Sequence, residues 1–391
     1  MVQPEIKPRV YSVGAQDWQR KIFDELIPLP EGTSYNAYIV RGSEKTALID
    51  TVDPTMTKEL MHNLEEIKVQ RIDYIICQHA EQDHSGSIPA VLTKHQEAVV
   101  VCNEKCKGML IDLMHIPQDR FKVIQDREEL SLGDKTLQFI FTPWVHWPET
   151  IVTYLKEDTL LFTCDFFGSH EASYNIFVTE KEKTRRAAKR YYAEIMMPFR
   201  ISIRKHLELL TQYTISMIAP SHGPVYKEPL TILRAYDEWT GDSVKKQVLI
   251  AYVSMHGSTR AMAEFLSDAL KRRQVETLLF DIAKTDIGEL AMAMVDASTI
   301  VLGSPTFLVG PHPVAAYAAT LLNTLRPKTK YFAIIGSYGW GTTMADYLTA
   351  FTSNIKAEIL PPVLVKGLPR MEDLEKLDEL AENIASKLLQ G

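Results

Sequence analysis

The sequence predicts a two-domain α/β protein, and three observations carry that expectation. The chain has 391 residues, more than a single compact core ordinarily holds. Its first part, residues 1–245, is a series of short apolar runs broken by turns, with helical segments between them. From residue 246 the rhythm becomes a regular alternation of strand, loop and helix, the pattern of a parallel sheet covered on both faces.

In the first part, "YNAYIV" and "TALIDTV" read as neighbouring strands and "MTKELMHNLEEI" has helical period. The runs "DYIICQH", "AVVVCN", "LQFIFTPWVH", "TLLFTCD" and "TISMIAPSHG" read as further strands. Residues 181–213 are charged and helix-like, and "EPLTILRAYDEWTGD" is a second helical stretch ending near Gly241. In the second part, "VLIAYVS", "VETLLFDI", "STIVLGS", "KYFAIIGSYG" and "VLVKG" read as strands. Between them "RAMAEFLSDALKRR", "DIGELAMAMVDA", "PVAAYAATLLNTL" and "TMADYLTAFTSNI" read as helices.

Composition narrows the function classes. Hydrophobic content of 46% and charged content of 24% are those of an ordinary globular protein, and the net charge of -7 argues against a general nucleic-acid binder. No stretch has the ~18 consecutive apolar residues of a membrane span. The opening "MVQPEIKPRVYSVGAQDW" lacks the apolar core of a signal peptide, so a cytoplasmic location is expected. The four cysteines, Cys77, Cys102, Cys106 and Cys164, form no CxxC pair, which excludes a dithiol or thiolate-metal motif of that spacing.

The chemistry concentrates at the ends of the apolar runs. "HAEQDH" places His79, Glu81, Asp83 and His84 within six positions. His146, Asp165 and His222 each follow another run. Strand-end loops are where sheet proteins carry functional residues, and four such loops bring four imidazoles and three carboxylates. That set suffices for two metal ions with nitrogen and oxygen ligands. In the second part, "SMHGSTR" supplies Ser254, Met255, His256, Gly257, Ser258 and Thr259 at the start of a helix, a phosphate cradle. It lacks the Gly-Lys-Ser/Thr ending of a nucleotide triphosphate loop. "GSPTFLV" (Ser304, Pro305, Thr306, Phe307) and "GSYGWGTT" (Ser337, Tyr338, Gly339, Trp340, Gly341) follow two further strands. Three strand-end loops of this kind form the ligand crevice of a doubly wound sheet.

"HAEQDH", His146, Asp165 and His222 resemble the metallo-β-lactamase superfamily pattern, with Glu81 where the zinc version has a second histidine. Together with the flavodoxin-like second half, and with "GTSYNAYIV", "HWPET", "DFFGSH", "YYAEIMMPF" and "APSHG", the chain resembles the flavodiiron proteins along nearly its whole length. The resemblance implies an αββα sandwich over 1–245 and a flavodoxin-like domain over 246–391. It implies two non-haem irons, one held by His79, Glu81 and His146, the other by Asp83, His84 and His222, with Asp165 bridging. It places His170 and Tyr192 near the metals, FMN in the crevice, and Trp340 on the electron path. It further implies reduction of dioxygen to water, nitric oxide to nitrous oxide, or both. Two ferrous ions and a fully reduced FMN together hold the four electrons that one dioxygen needs. A head-to-tail homodimer or a dimer of dimers is implied, with an external donor such as rubredoxin or a reduced deazaflavin coenzyme. The competing reading is a hydrolase of metallo-β-lactamase fold with an accessory flavin domain, which Glu81 argues against.

Overall fold

A computed structural model describes residues 4–390. The chain divides into two compact units, Met1–Tyr192 with Phe199–Thr240, and Ala193–Pro198 with Gly241–Gly391.

The first unit contains two sheets. One has seven strands in the order Glu5–Lys7, Val10–Ser12, Tyr38–Arg41, Thr46–Ile49, Tyr74–Ile76, Val99–Cys102 and Phe121–Val123. The last four are mutually parallel and the first three are antiparallel to their neighbours. The other has Glu129–Ser131, Thr136–Phe141, Ile151–Leu155, Leu160–Cys164 and Met217–Pro220, antiparallel except for its final pair.

Side-chain alternation along these strands assigns each face. Tyr38, Val40, Ala47, Ile49, Ile76 and Val101 point into a core shared with Leu137, Phe139, Ile151, Leu155, Leu160 and Phe162 of the second sheet. The intervening Ile39, Leu48, Ile75 and Val100 point the other way, into a core with Leu60 and Leu64 of helix Thr57–Glu66, Val91 and Leu92 of helix Ile88–Lys94, and Leu110 of helix Glu104–Met114. Both faces of the first sheet are therefore apolar, so its strands read as unbroken hydrophobic runs. Helices Lys181–Tyr191, Arg200–Leu210 and Pro229–Thr240 complete the αββα arrangement; Tyr236 packs on Phe166 and Phe167 just past strand Leu160–Cys164.

The second unit is a parallel sheet in the order Glu276–Asp281, Lys245–Tyr252, Ala297–Phe307, Tyr331–Tyr338, with Glu358–Ile359 and Val363–Lys366 both paired to the last of these. Starting the chain at an inner strand and winding outward both ways creates a crevice at the strand C-termini, where the order reverses. Helices Ser258–Arg272 and Met371–Gln390 bury Met262, Leu266, Leu270, Leu377, Leu380 and Ile384 in one core on the sheet. Among the described residues no helix is long and apolar enough to cross a membrane.

The apolar runs read from the sequence are strands. Strand Ile151–Leu155 and helix Met371–Gln390 were not among them. The helix read over "TMADYLTAFTSNI" is shorter, Met344–Ala350. It stops where Thr352, Ser353 and Asn354, weak helix formers, take over.

Candidate metal centre and flavin crevice

Four loops of the first unit converge at one end of its two sheets. His79 and the short helix Gln82–Ser85 follow strand Tyr74–Ile76, His146 lies in the turn before Ile151–Leu155, and Asp165 and His222 directly follow Leu160–Cys164 and Met217–Pro220. A buried carboxylate fastens two of these loops. Asp50 accepts from the backbone N–H and side-chain amide of Gln78, both at 2.8 Å, and from the Ser221 hydroxyl at 3.2 Å. The residues next to His79 and His222 are thus tied to one anchor. The far end of the His79 loop is held by Thr51, whose N–H and hydroxyl both donate to the His84 carbonyl at 2.7 Å.

The seven residues singled out from the sequence come together as two groups, His79, Glu81, His146 and Asp165, and Asp83, His84 and His222. Asp165 faces both. Its Oδ2 is 3.5 Å from His79 Nε2 and 3.2 Å from His146 Nε2, while its Oδ1 is 3.0 Å from His84 Nε2 and 3.3 Å from His222 Nε2. Glu81 Oε2 stands between His79 Nε2 at 3.0 Å and His146 Nε2 at 3.2 Å. Asp83 closes the second group, 3.3 Å from His84 and 3.1 Å from His222. Such separations are those of donors sharing a sphere of ~2.1 Å radius around an ion.

The donor atoms fit metal ions on a second count. Both Asp83 oxygens, Asp165 Oδ2 and His84 Nε2 are buried and make no hydrogen bond, although each lies near another donor atom. Buried polar atoms ordinarily find partners; here their lone pairs converge on common points, as ligands do. Cys164 lies within reach of His84 and Asp165. Burial, then Asp50 and Asp165, push its thiol well above the usual range.

Burial and charge act against each other throughout. Burial lowers His146 and His222, but Asp165 with Glu81 raises the first to about 9, and Asp165 with Asp83 raises the second to about 10. Burial raises Asp165, but His84, His146 and His222 hold it well below the usual carboxylate range. The cluster is closed on one side: the side chains of Asp83, His84, Asp165 and His222 are at most 4% exposed, whereas Glu81 is 17% and His146 14% exposed. Aromatic rings line the rest. Trp147 stands edge-on to His79 at 4.9 Å, Phe23 is tilted against His170 at 4.9 Å, and Phe199 is 6.4 Å from His146.

His170 does sit beside the cluster, its ring 4.9 Å from that of His222. Its Nδ1 meets the Thr33 hydroxyl at 2.9 Å, and its buried Nε2 has no hydrogen-bond partner among the described residues. Burial and then His222 hold it well below the usual range, hence neutral. Tyr192 is a correction. Its hydroxyl donates to the Trp239 carbonyl at 3.3 Å, whereas the preceding Tyr191 donates to Asp165 Oδ1 at 2.8 Å. Consecutive helical residues point ~100° apart, so only one of the pair faces the cluster. Glu149 also escaped the sequence reading; its Oε1 is 2.6 Å from His79 Nδ1. Its position three residues past His146 in "HWPET" was the one available signal.

In the second unit, Ser254, Met255, His256, Ser258, Thr259, Pro305, Thr306, Ser337, Tyr338 and Gly339 line one crevice at the strand ends, with Gly367. Gly257 precedes the helix at φ +94° and donates its N–H to the Ser254 hydroxyl at 3.1 Å. That conformation favours glycine, and it presents hydroxyls and the free N–H groups of the first helical turn to an anion. Gly336 pairs with Ser304 across strands Ala297–Phe307 and Tyr331–Tyr338, which run on into the segments read from the sequence as loops; a Cβ at Gly336 would fall 2.7 Å from the Ser304 carbonyl, so glycine lets the two strand ends approach. The arrangement fits a phosphate at the helix start and a planar ring beyond it. Ser304, Phe307, Trp340 and Gly341 are not among the lining residues. The Ser304 hydroxyl is spent inside its own loop, donating to the Pro305 carbonyl and accepting from His312 N–H. Phe307, the last residue of its strand, and Trp340, just past the end of strand Tyr331–Tyr338, are 45% and 76% exposed.

Residues 33–223 match the ODP family beta lactamase model and residues 250–379 the flavodoxin model. The nitric oxide reductase of Moorella thermoacetica is 34% identical over 99% of this chain and 100% of its own length. Two solved structures are similar over 99% of this chain. The rubredoxin oxygen:oxidoreductase of Desulfovibrio gigas has a TM-score of 0.96 and 28% identity, with 99% of that chain covered. The flavodiiron protein of Giardia intestinalis has a TM-score of 0.91 and 28% identity, with 97% covered. The two-domain fold, a cluster built around a shared aspartate and a full-length likeness to these enzymes agree, and the chain belongs to the flavodiiron protein family, oxidoreductases with FMN and a diiron centre.

Proposed function

We propose that this protein reduces dioxygen to water, nitric oxide to nitrous oxide, or both, at an iron pair held by its first domain, residues 1–245. The observation that carries the reading is Asp165, whose two oxygens face two separate donor groups of mixed nitrogen and oxygen. In this reading His79, Glu81 and His146 hold one iron, Asp83, His84 and His222 the other, and Asp165 bridges. Carboxylates are hard donors and shift a site of this kind from zinc toward iron. An iron pair held there would supply open coordination for the gas and, with FMN, the electrons for its reduction.

The chain's own residues have distinct tasks. Trp147, Phe23 and Phe199 exclude water around the donors, and the part-exposed Glu81 and His146 mark the side from which a small molecule reaches them. Both reductions consume protons. The Tyr191 hydroxyl holds one against Asp165 Oδ1, and neutral His170 holds one on a ring nitrogen beside His222. FMN would be held in the second domain, residues 246–391, by the Ser254–Thr259 loop and by Pro305, Thr306 and Ser337–Gly339, which line one crevice.

The protein acts in the cytoplasm, receives electrons from rubredoxin or a reduced deazaflavin coenzyme, and works as a head-to-tail homodimer or a dimer of dimers. In that assembly the flavin crevice of one chain would serve the metal site of its partner, with the exposed Trp340 available between them.

Anaerobically reduced protein loaded with two irons and one FMN is expected to be reoxidised within one mixing experiment by dioxygen, nitric oxide, or both. Reoxidation by neither gas overturns the reading. Asp165→Ala is expected to lose both metals rather than one while keeping FMN, by metal and flavin analysis of the purified variant. A normal pair of irons would remove Asp165 from its bridging place. Gly257→Val is expected to lose FMN on gel filtration with iron intact. A Cβ there meets nothing within 4 Å, so the effect comes from the positive φ and from the branched group standing in the phosphate cradle. Finally, chains with His79→Ala and His146→Ala can be co-refolded with chains carrying Gly257→Val. Mixed dimers isolated by two tags should regain gas reduction; mixed dimers that stay inactive refute transfer between partners.

A further inference from the structure

The clustered imidazoles are supported from behind in unequal ways. His222 Nδ1 donates to a neutral backbone carbonyl, that of Ser34, at 2.7 Å. His84 Nδ1 is buried and has no hydrogen-bond partner among the described residues. His79 Nδ1 donates to a carboxylate, Glu149 Oε1, at 2.6 Å. That carboxylate is fully buried, and no lysine or arginine pairs with it among the described residues. It is also firmly held. Its Oε1 accepts the Ala80 N–H at 3.0 Å, its own carbonyl accepts from Asn103 Nδ2 at 2.6 Å, and Ile151 N–H donates to the Gln78 carbonyl at 3.0 Å. Strand Ile151–Leu155 and the His79 loop are thereby pinned together around the pair.

A buried carboxylate without a cation is costly, and its partner here is a single imidazole whose other nitrogen faces Glu81 and Asp165. The hydrogen bond fixes the proton on Nδ1 and the lone pair on Nε2. An anionic acceptor draws that proton more strongly than a carbonyl does and leaves Nε2 the more basic ligand. Among the described residues His79 is the one clustered imidazole whose Nδ1 donates to a carboxylate; the buried Asp50 lies on the His84 side but makes no hydrogen bond to that ring and spends its oxygens on Gln78 and Ser221. The group containing His79 has Glu81, a share of Asp165, and Glu149 behind it; the other has Asp83 and a share of Asp165.

We infer that Glu149 is a positioning residue that makes the two metal positions unequal: through His79 it strengthens the position formed with Glu81 and His146, which holds its metal more tightly and favours the oxidised ion. This rests on the diiron reading above. It places the tighter, more electron-rich ion at the part-exposed end of the cluster, where Glu81 and His146 meet the outside.

The test uses the full-length protein and Glu149→Gln. The amide oxygen can still accept from His79 and Ala80, so the variant removes charge while keeping the geometry. Metal-free protein is titrated with ferrous iron against a competing chelator, and the potential of the metal centre is followed by electron paramagnetic resonance. FMN content serves as the folding control. The parent should bind two irons in unequal steps. In Glu149→Gln the tighter step should weaken ~10–100-fold, the range for removing an outer partner of a ligating histidine. The weaker step should hold, and the potential should rise. Two irons bound with equal affinity by the parent overturn the inference without any substitution, including the case in which the variant loses FMN and fails to fold. A folded variant whose two steps and potential match the parent's overturns it while leaving the diiron reading intact. A parent that binds fewer than two irons overturns both.

Discussion

The first unit depends on one aspartate having two usable faces. Asp165 is 1% exposed and lies within 3.5 Å of four imidazole nitrogens, two on each side. Removing several ionised groups from water costs several kcal/mol per ion, so no single loop could carry this cluster alone. It stands because each group has opposite charge or a metal facing it, and because the sheets deliver four loops to one end. Asp50 turns that convergence into a rigid frame by joining Gln78 to Ser221. The frame is built from residues adjacent to the ligands, so the ligand side chains remain free to point inward.

Much of this was legible in the sequence because a sheet protein marks its ligands by position. His79, Asp165 and His222 each close a buried apolar run, and such runs are easy to read when both faces of the strand are covered. The residues that escaped belong to another class. Tyr191 and Tyr192 are adjacent and chemically identical; only the helical phase, set by packing of Tyr236 and Trp239 against Tyr192, decides which hydroxyl meets Asp165. Glu149 is a lone carboxylate in a turn, and its importance exists only once strand Ile151–Leu155, itself unread, is placed beside the His79 loop. Ser304 failed for the opposite reason. It has the right type and the right loop, but a nearby carbonyl and N–H satisfy its hydroxyl first.

The two sites are built on contrasting principles. The metal cluster is made of side chains on a closed scaffold, with its selectivity in donor type and charge. The crevice proposed for the flavin is largely a backbone site: a left-handed glycine, a helix start, and two strand ends kept close by glycine. A backbone site places few demands on residue type, and this is why a glycine- and hydroxyl-rich pattern points to the strand ends where a crevice lies without deciding which of its members line it. Its rim is apolar and open, with Phe307, Leu308, Val309 and Trp340 exposed, whereas the metal end shows the outside little more than Glu81 and His146.

The same seven groups also explain how the chain tolerates the metal-free state. Four imidazoles and three carboxylates, buried and neutral on one side only, would repel or remain unpaired. The carboxylates instead raise the imidazoles, His146 to about 9 and His222 to about 10, against the pull of burial. At neutral pH these rings carry protons where ions would otherwise sit, and the cluster is held by ion pairs. Those folded-state values lie above the ordinary imidazole value of 6.5, so this contribution is full just below that pH, while the carboxylates stay ionised, and is lost as pH climbs through about 9 to 10. Metal binding replaces those protons with ions at the same points. The residues proposed to select the metal are therefore the ones that keep its place in the fold.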